Sequence, residues 1–195
     1  MTKIIARGAV GGLLLLAATA CSSAPGTPSP ASSSAPIDSA PNVPQVTSPL
    51  DVGKYEQDPC AVLSKAQATE VFQALRNRTS SGNFAPRCTW YDSKDNSISI
   101  SFLPGQGGLS TSYKNGAGAG GYFEAAPDVS GYPAVYSAVL DDRKSGGCQI
   151  GVGVKNDEIF TFSAILDKAS PSYGDPCSLV TRAAEAAVAT IKAGA

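Results

Sequence analysis

The first 21 residues indicate the compartment in which this chain folds. Lys3 and Arg7 precede an apolar run that extends to Ala20, and Cys21 follows directly. A charged start, a short apolar middle and small residues at the exit are typical of a secretory signal peptide. The run is too short for a membrane-spanning helix, which needs about 20 apolar residues. We therefore expect residues 1–20 to be a signal peptide and the remainder to be exported.

The cysteine at the end of this segment predicts a lipid anchor. Ala18-Thr19-Ala20-Cys21 resembles the bacterial lipobox, whose cysteine is lipidated and becomes the new N-terminus. A lipid with two acyl chains suffices for stable membrane attachment. We therefore expect a bacterial lipoprotein anchored through Cys21 to the cell membrane, at its extracytoplasmic face. The alternative is an ordinary signal peptide that happens to be cleaved near a cysteine.

The next segment has a composition that does not support a packed core. Residues 22–50 contain seven of the 14 prolines, eight serines and a single charged residue, Asp38. Such a segment buries too little apolar surface to offset the entropy lost on ordering. We expect residues 21–50 to comprise the lipidated cysteine and a disordered linker. Residues 51–195 then form one domain of ordinary size.

Two features of the composition exclude classes of function. The chain has no histidine, which excludes Ser-His-Asp and Cys-His catalytic pairs, HExxH zinc sites and histidine-ligated haem. Removing Lys3 and Arg7 from the 15 basic residues leaves 13 against 16 acidic ones, a net charge of −3 without any basic cluster. We therefore expect no nucleic-acid partner, no metal and no cofactor.

The remaining cysteines predict two disulfide bonds. Setting Cys21 aside leaves Cys60, Cys88, Cys148 and Cys177, an even number in an exported domain. A zinc site would need close pairs of cysteines, but the nearest two are 28 residues apart. The shortest loops favour Cys60–Cys88 and Cys148–Cys177, each stabilising the fold by about 3–3.5 kcal/mol. Cys60–Cys177 with Cys88–Cys148 remains the open alternative.

Helical signals stand at the two ends of the predicted domain. Ser64 and Gln67 match a capping box and predict a first helix over residues 65–76. Asp175 followed by Pro176 predicts the start of a last helix, because proline is favoured at the first helical position. Asp-Pro-Cys occurs before both helices, so each disulfide is expected to join a helix start to the sheet.

Alternating apolar and polar residues between these helices predict strands. Strands grouped between terminal helices indicate an α+β domain, an antiparallel sheet flanked by an N-terminal and a C-terminal helix. A run that is apolar on both sides, residues 159–166, is expected to be a central strand. The other expected strands are 88–91, 97–102, 134–140 and 148–155, with a short helix at 109–115 and loops at 77–86 and 116–121.

Several short motifs together resemble one family. They are the lipobox, the Ser/Pro-rich linker, Cys88-Thr89-Trp90, Gly131-Tyr132-Pro133-Ala134 and the two Asp-Pro-Cys tripeptides. In this layout the chain resembles actinobacterial lipoproteins, such as the mycobacterial LprB/LprC-like proteins, catalogued as domain of unknown function 3558. The resemblance spans about residues 55–193. It implies an exported, membrane-anchored, disulfide-bonded domain related to the Mog1/PsbP-like α/β/α sandwiches, and it transfers no catalytic residue.

The favoured function is a non-catalytic binding or scaffold module for an unknown envelope protein. Large side chains beside glycine-rich loops are hard to bury, so aromatic residues there are candidates for an interaction surface. These are Tyr113, Tyr122, Phe123 and Tyr132.

Two further functions remain open. The first is a carrier of a lipid or other apolar ligand, for which the alanine-rich last helix leaves room for a cavity against the sheet, although close packing explains the alanines equally well. The second is an enzyme that works without histidine. Its only adjacent acids are Asp141-Asp142 and Asp157-Glu158, both in predicted turns where exposed, solvated charge is expected.

Overall fold

One antiparallel sheet of seven strands organises the computed structural model, which describes residues 42–82 and 85–194. Its strands are β1 (Arg76–Ser80), β2 (Arg87–Tyr91), β3 (Ser97–Leu103), β4 (Tyr122–Val129), β5 (Tyr132–Ala138), β6 (Gly147–Lys155) and β7 (Glu158–Ile165). Across the sheet the order is β1-β2-β3-β7-β6-β5-β4, and every neighbouring pair is antiparallel. β7 is thus the central strand, as the sequence predicts.

Helices before, within and after the strands complete the α+β architecture that the sequence predicts. They are α1 (Gly53–Gln57), α2 (Lys65–Phe72), α3 (Gly108–Asn115) and α4 (Pro176–Ala193), with 3₁₀ turns at Pro59–Val62 and Arg143–Ser145. No helix in the described residues is long and apolar enough to span a membrane. The predicted signal peptide, Cys21 and the linker up to residue 41 lie outside the described residues, so those expectations stay predictions.

One face of the sheet, here called the inner face, carries the main core. In β3, Ile98, Ile100 and Phe102 are buried on this face, while the alternating serines point to the other side. Trp90 of β2 and Phe162 of β7 stack across the intervening β3 with ring centroids 6.2 Å apart. Large apolar side chains that alternate along each strand thus supply the contacts that hold the sheet against its helices.

α4 closes the inner face. The Asp175 side chain accepts a hydrogen bond from the Ser178 backbone N–H at 3.2 Å, and Pro176 occupies the first turn. Ala183, Ala184 and Ala187 are fully buried, so the helix backbone lies close to β6 and β7. The alanines therefore allow close packing of α4 on the sheet.

The first predicted helix is shorter than expected, and a strand follows it. α2 has the predicted capping box at Ser64 and Gln67 but ends at Phe72, because Gln73 adopts a left-handed conformation with φ 53°. Leu75 therefore leaves the helical stripe and is 70% exposed. β1 occupies the segment predicted to be a loop. All five of its residues are exposed, so it has no apolar alternation that sequence analysis could detect.

β4 was also not predicted, and its position explains why. It lies at the sheet edge, where it pairs only with β5, and a bulge interrupts this pairing between Ala126 and Val129. Pro127 lies in the bulge, where the missing backbone N–H costs no ladder hydrogen bond. A proline and two acidic residues in eight positions hide the strand pattern.

The packed chain begins before residue 51, where the domain was expected to start. Val43, Val46 and Leu50 are buried. The Leu50 N–H donates to the Val154 carbonyl at 3.0 Å, and the Val46 N–H donates to Asn156 Oδ1 at 2.9 Å. Residues 42–50, assigned to the linker on composition, therefore belong to the domain, because a few apolar residues among the prolines find sites on the sheet.

Two disulfide bonds join helical starts to the sheet. Cys60, in the 3₁₀ turn before α2, is bonded to Cys88 in β2, and Cys148 in β6 is bonded to Cys177 in the first turn of α4. The Cα atoms are 5.1 Å apart in each pair. This is the pairing that the shortest loops favour, and the crossed alternative does not occur.

Candidate binding groove

The sheet face opposite α4, here called the outer face, is covered only in part. α3 packs on it over β5, β6 and β7. Towards β1 the face is rich in hydroxyl side chains, such as Thr89 and Ser99, whose oxygens are 2.9 Å apart. One row of cross-strand neighbours runs over the outer face from β1 to β5: Ser80, Arg87, Ser101, Thr161, Gly151 and Val135.

A glycine and a leucine position α3 above this face. Gly108 has φ +58°, and a side chain there would collide with the backbone carbonyl of Asn156. Leu109 then turns into a buried cluster with Val135 and Ile159 on the outer face. The helix is thus held at its first turn by Leu109, and at its second turn by the partly buried ring of Tyr113.

A groove of about 460 Å³ opens between α3, the glycine-rich loop after it and the outer face. This volume falls within the range of small-molecule sites. Its floor consists of Leu103, Gly151, Ile159 and Thr161 on three neighbouring strands. Gln106, Gly108, Thr111, Ser112, Asn115, Gly116, Ala117, Gly118, Ser137, Ala138, Val139 and Gln149 form its walls and rim.

A second cavity of about 370 Å³ adjoins the groove on the side of β1 and β2. The two cavities share Leu103, Gln149 and Thr161, so they form one continuous depression on the outer face. The Gln149 side chain is fixed at this junction, because its amide nitrogen donates to the Ser137 carbonyl at 2.8 Å. The remaining lining residues of the second cavity are Ser80, Gly82, Ala85, Arg87 and Ser101.

The lining chemistry is simple and asymmetric. The groove proper has no ionisable side chain among its lining residues, only apolar surface, hydroxyls and amides. The second cavity adds one cation, Arg87, and no acid. Among the described residues, neither lining contains an aromatic ring or two groups suited to acid–base catalysis. The arrangement can hold a ligand, and it offers no catalytic pair.

The four aromatic residues predicted as a surface do not come together as one. Tyr113 of α3 and Phe123 of β4 are half-buried and meet edge to face, with ring centroids 5.0 Å apart. Tyr122 and Tyr132 are buried, with exposed fractions of 4% and 5%. The prediction of an interaction surface is therefore wrong at Tyr122 and Tyr132. Both rings are buried against the sheet, although glycine-rich segments lie beside them in the chain.

Tyr122 has a structural role beside the disulfide of α4. Its hydroxyl accepts a hydrogen bond from the Gln149 backbone N–H at 2.7 Å and lies 3.7 Å from the sulfur of Cys148. Burial raises the pKa of the Tyr122 phenol. The Arg143 guanidinium covers the ring at 4.2 Å from its centroid. The ring therefore packs between the disulfide and a cation and does not present a free face.

The adjacent acids do not form a catalytic pair of carboxylates. Asp141 accepts two hydrogen bonds from Arg143 at 2.8 Å, and these bonds lower the pKa of Asp141 to about 2. Asp141 is thus an ionised partner in an exposed ion pair. Within residues 42–82 and 85–194, no group of three His, Cys, Asp or Glu residues could hold a metal ion.

Glu158 differs from the exposed turn residue that the sequence suggests. Its side chain is 3% exposed, and Oε2 accepts a hydrogen bond from Lys155 Nζ at 2.6 Å. Its other oxygen, Oε1, is buried and has no hydrogen-bond partner among the described residues. Burial, followed by the charge of nearby Glu158, raises the pKa of the Glu56 carboxyl in α1.

We expect Glu56→Gln to raise the melting temperature by about 2 °C at pH 7. A raised carboxyl pKa means that Glu56 stabilises the fold below its unfolded pKa, and that this contribution is lost as pH rises through the folded pKa. The glutamine removes the charge that Glu158 and burial disfavour. Thermal unfolding should therefore show a gain at pH 7 that disappears at pH 3. Glu70→Gln, on the exposed side of α2, is the matched control, and an equal gain there or at pH 3 would contradict this account.

Sequence reasoning missed the groove because its residues are scattered over four strands, α3 and three loops. One signal was nevertheless present. Gly151 and Gly153 lie inside β6, and glycine within a strand often marks close approach by a ligand or another segment. Side chains of Leu109 and Val46 do approach Gly153, whereas Gly151 lies on the groove floor.

Comparison with known proteins gives one match. A family model described as "Protein of unknown function (DUF3558)" matches residues 16–190. No curated protein and no solved structure matches the chain. The suggested relation to Mog1/PsbP-like sandwiches therefore stays an expectation.

Proposed function

The chain belongs to the DUF3558 family of proteins of unknown function, and on that premise we propose that it is a non-catalytic module that binds a small molecule in the outer-face groove. The observation that carries the proposal is the shape and chemistry of the groove. It is concave, its volume of about 460 Å³ suits a small ligand, and its lining has apolar floor residues with a few neutral polar groups.

The proposed setting is the extracytoplasmic face of a bacterial cell membrane, with the lipid on Cys21 as the anchor. The segment before Cys21 supports this placement through its resemblance to a lipobox. Two disulfide bonds in the domain also fit an oxidising compartment outside the cytoplasm. The likeness to mycobacterial LprB/LprC-like lipoproteins is part of the same proposal.

The groove favours a carrier or sensor of small molecules over a scaffold for another protein. Of the four aromatic residues that a scaffold surface was to use, two are buried, and the other two pack against each other. The lining of the groove also lacks any acid–base pair, which supports binding without catalysis.

The test is a substitution on the groove floor that places a large side chain in the ligand space. Gly151 has a φ that other residues adopt, and an added Cβ would make ordinary contacts of 3.5 Å with Ile159 and 3.7 Å with Val135. Gly151→Leu should therefore fold and occupy ligand space. We expect it to weaken binding of the neutral apolar dye Nile red at least tenfold, measured by fluorescence titration. The protein is the exported chain with Cys21→Ser, so that neither attached lipid nor detergent competes for dye.

Gly174→Leu is the matched control, because Gly174 has open space around it and lies outside the groove. Trp90 fluorescence reports the fold of each variant, since the single tryptophan is buried in the inner core. The proposal fails if the parent chain shows no saturable dye binding. It also fails if folded Gly151→Leu binds the dye as tightly as the parent.

A further inference from the structure

The depression on the outer face has two chemically different ends. The end beneath α3 is floored by Leu103, Ile159 and Gly151, and its rim includes Val139, which is 92% exposed. An apolar side chain this exposed at the mouth of an apolar groove extends the surface that a ligand can cover. This end suits the apolar part of a ligand.

The other end presents a positive charge among hydroxyl groups. Arg87 lies beside Ser101, with Nε donating to Oγ at 3.5 Å, and Ser80 is its neighbour across the strands. No carboxylate in the described part of the chain forms an ion pair with Arg87, whereas Arg76 and Arg143 both have acidic partners. The guanidinium therefore has donors available for an incoming anion.

The lining also argues against other ligand classes. A cation would need an acid, and neither cavity has one. Nucleobases are generally bound by stacking on aromatic rings, and the lining residues that the structure describes include none. Arginine forms strong, charge-assisted hydrogen bonds to carboxylate and phosphate groups.

Building on the proposed function, we infer that the ligand is an anionic amphiphile. Its apolar chain lies beneath α3, and its single carboxylate or phosphate head is bound by Arg87 and the hydroxyls beside it. Gln149 and Thr161, which line both cavities, mark the point at which the chain passes from one to the other.

Isothermal titration calorimetry with four twelve-carbon probes below their micellar concentrations tests the inference. The probes are dodecanoate, dodecyl phosphate, dodecanol and dodecyltrimethylammonium. We expect the two anions to bind the Cys21→Ser chain about tenfold more tightly than dodecanol, and the cation to bind more weakly than dodecanol. Because Arg87 is exposed, the preference should decrease as salt is raised.

Two arginine variants test whether Arg87 causes the preference for anionic probes. Arg87→Gln should weaken the binding of dodecanoate and bring its affinity to within about twofold of that for dodecanol. Arg78→Gln is the charge-matched control, since Arg78 is an exposed arginine of the neighbouring strand and does not line either cavity. It should keep the full preference.

The outcomes separate this inference from the proposed function. If Nile red binds in the groove but dodecanoate and dodecanol bind equally, the inference of an anionic head group is wrong and the proposed binding function stands. If Arg87→Gln retains the preference for anions, the role of Arg87 is wrong and the proposed binding function stands. If acetate or inorganic phosphate alone binds as tightly as the matching amphiphile, the apolar chain is wrong. If neither the dye nor any probe binds, both proposals fail.

Discussion

Replacing Cys148 and Cys177 together by alanine is expected to lower the free energy of unfolding by about 3.5 kcal/mol. The bond closes a loop with a sequence separation of 29 residues, and its removal returns that loop's entropy to the unfolded chain. Alanine suits the test because Cys148 is buried, where a serine hydroxyl would need a new partner. Urea unfolding, followed by Trp90 fluorescence, measures the difference.

The control for this prediction is a reducing agent. Reductant should destabilise the double variant only through the remaining Cys60–Cys88 bond, so the drop should be about half that in the parent chain. In the comparison variant, Cys60 and Cys88 are replaced by alanine. The bond removed there closes a loop of similar length, so the variant should lose a similar amount of stability. A loss below 1 kcal/mol in both variants would show that the disulfides contribute little to the stability of the fold.

Lys155→Met is expected to destabilise the protein by about 3 kcal/mol, because it leaves the buried charge of Glu158 without its partner. Glu158 is 3% exposed at the side chain, and its other oxygen already lacks a partner among the described residues. The hydrogen bond to Glu158 also raises the pKa of Lys155. The ion pair therefore stabilises the fold below the unfolded pKa of the lysine, and this stability is lost as pH rises through the raised pKa.

A second substitution separates charge from packing in this pair. Adding Glu158→Gln to Lys155→Met removes the unpaired charge and should restore most of the lost stability. Urea unfolding of both single variants and the double variant provides the coupling energy. If the double variant is as unstable as Lys155→Met, the loss comes from the lysine's aliphatic contacts and the charge pair is not its cause. Lys168→Met, at an exposed loop position, is the control.

Much of the fold could be predicted where the sequence repeats with the period of an element. The alternation of Ile98, Ile100 and Phe102 with serines identified β3, and the apolar run of β7 indicated its central place. β1 and β4 could not be found in this way, because an edge strand forms by pairing with one neighbour and needs no apolar face. Their residues carry the polar and proline content of loops.

The groove was beyond sequence reasoning for a different reason. Its floor joins residues of β3, β6 and β7 that are distant in the chain, so only the strand order brings Leu103, Gly151 and Ile159 together. The aromatic residues chosen as a surface were judged by their glycine-rich neighbours. For Tyr122, the backbone of Gln149, a residue 27 positions away in the chain, completes its hydrogen bonding.

The early start of the packed chain has a mechanical consequence. Val43 lies in the same buried cluster as Leu109, and Val46 and Leu109 both approach Gly153. Leu109 also holds the first turn of α3 above the groove. A pull on the chain from the N-terminal side of Val43 would therefore load the contacts that hold the first turn of α3 over the groove. If the proposed anchor at Cys21 holds the chain, force along it would reach the groove through Leu109.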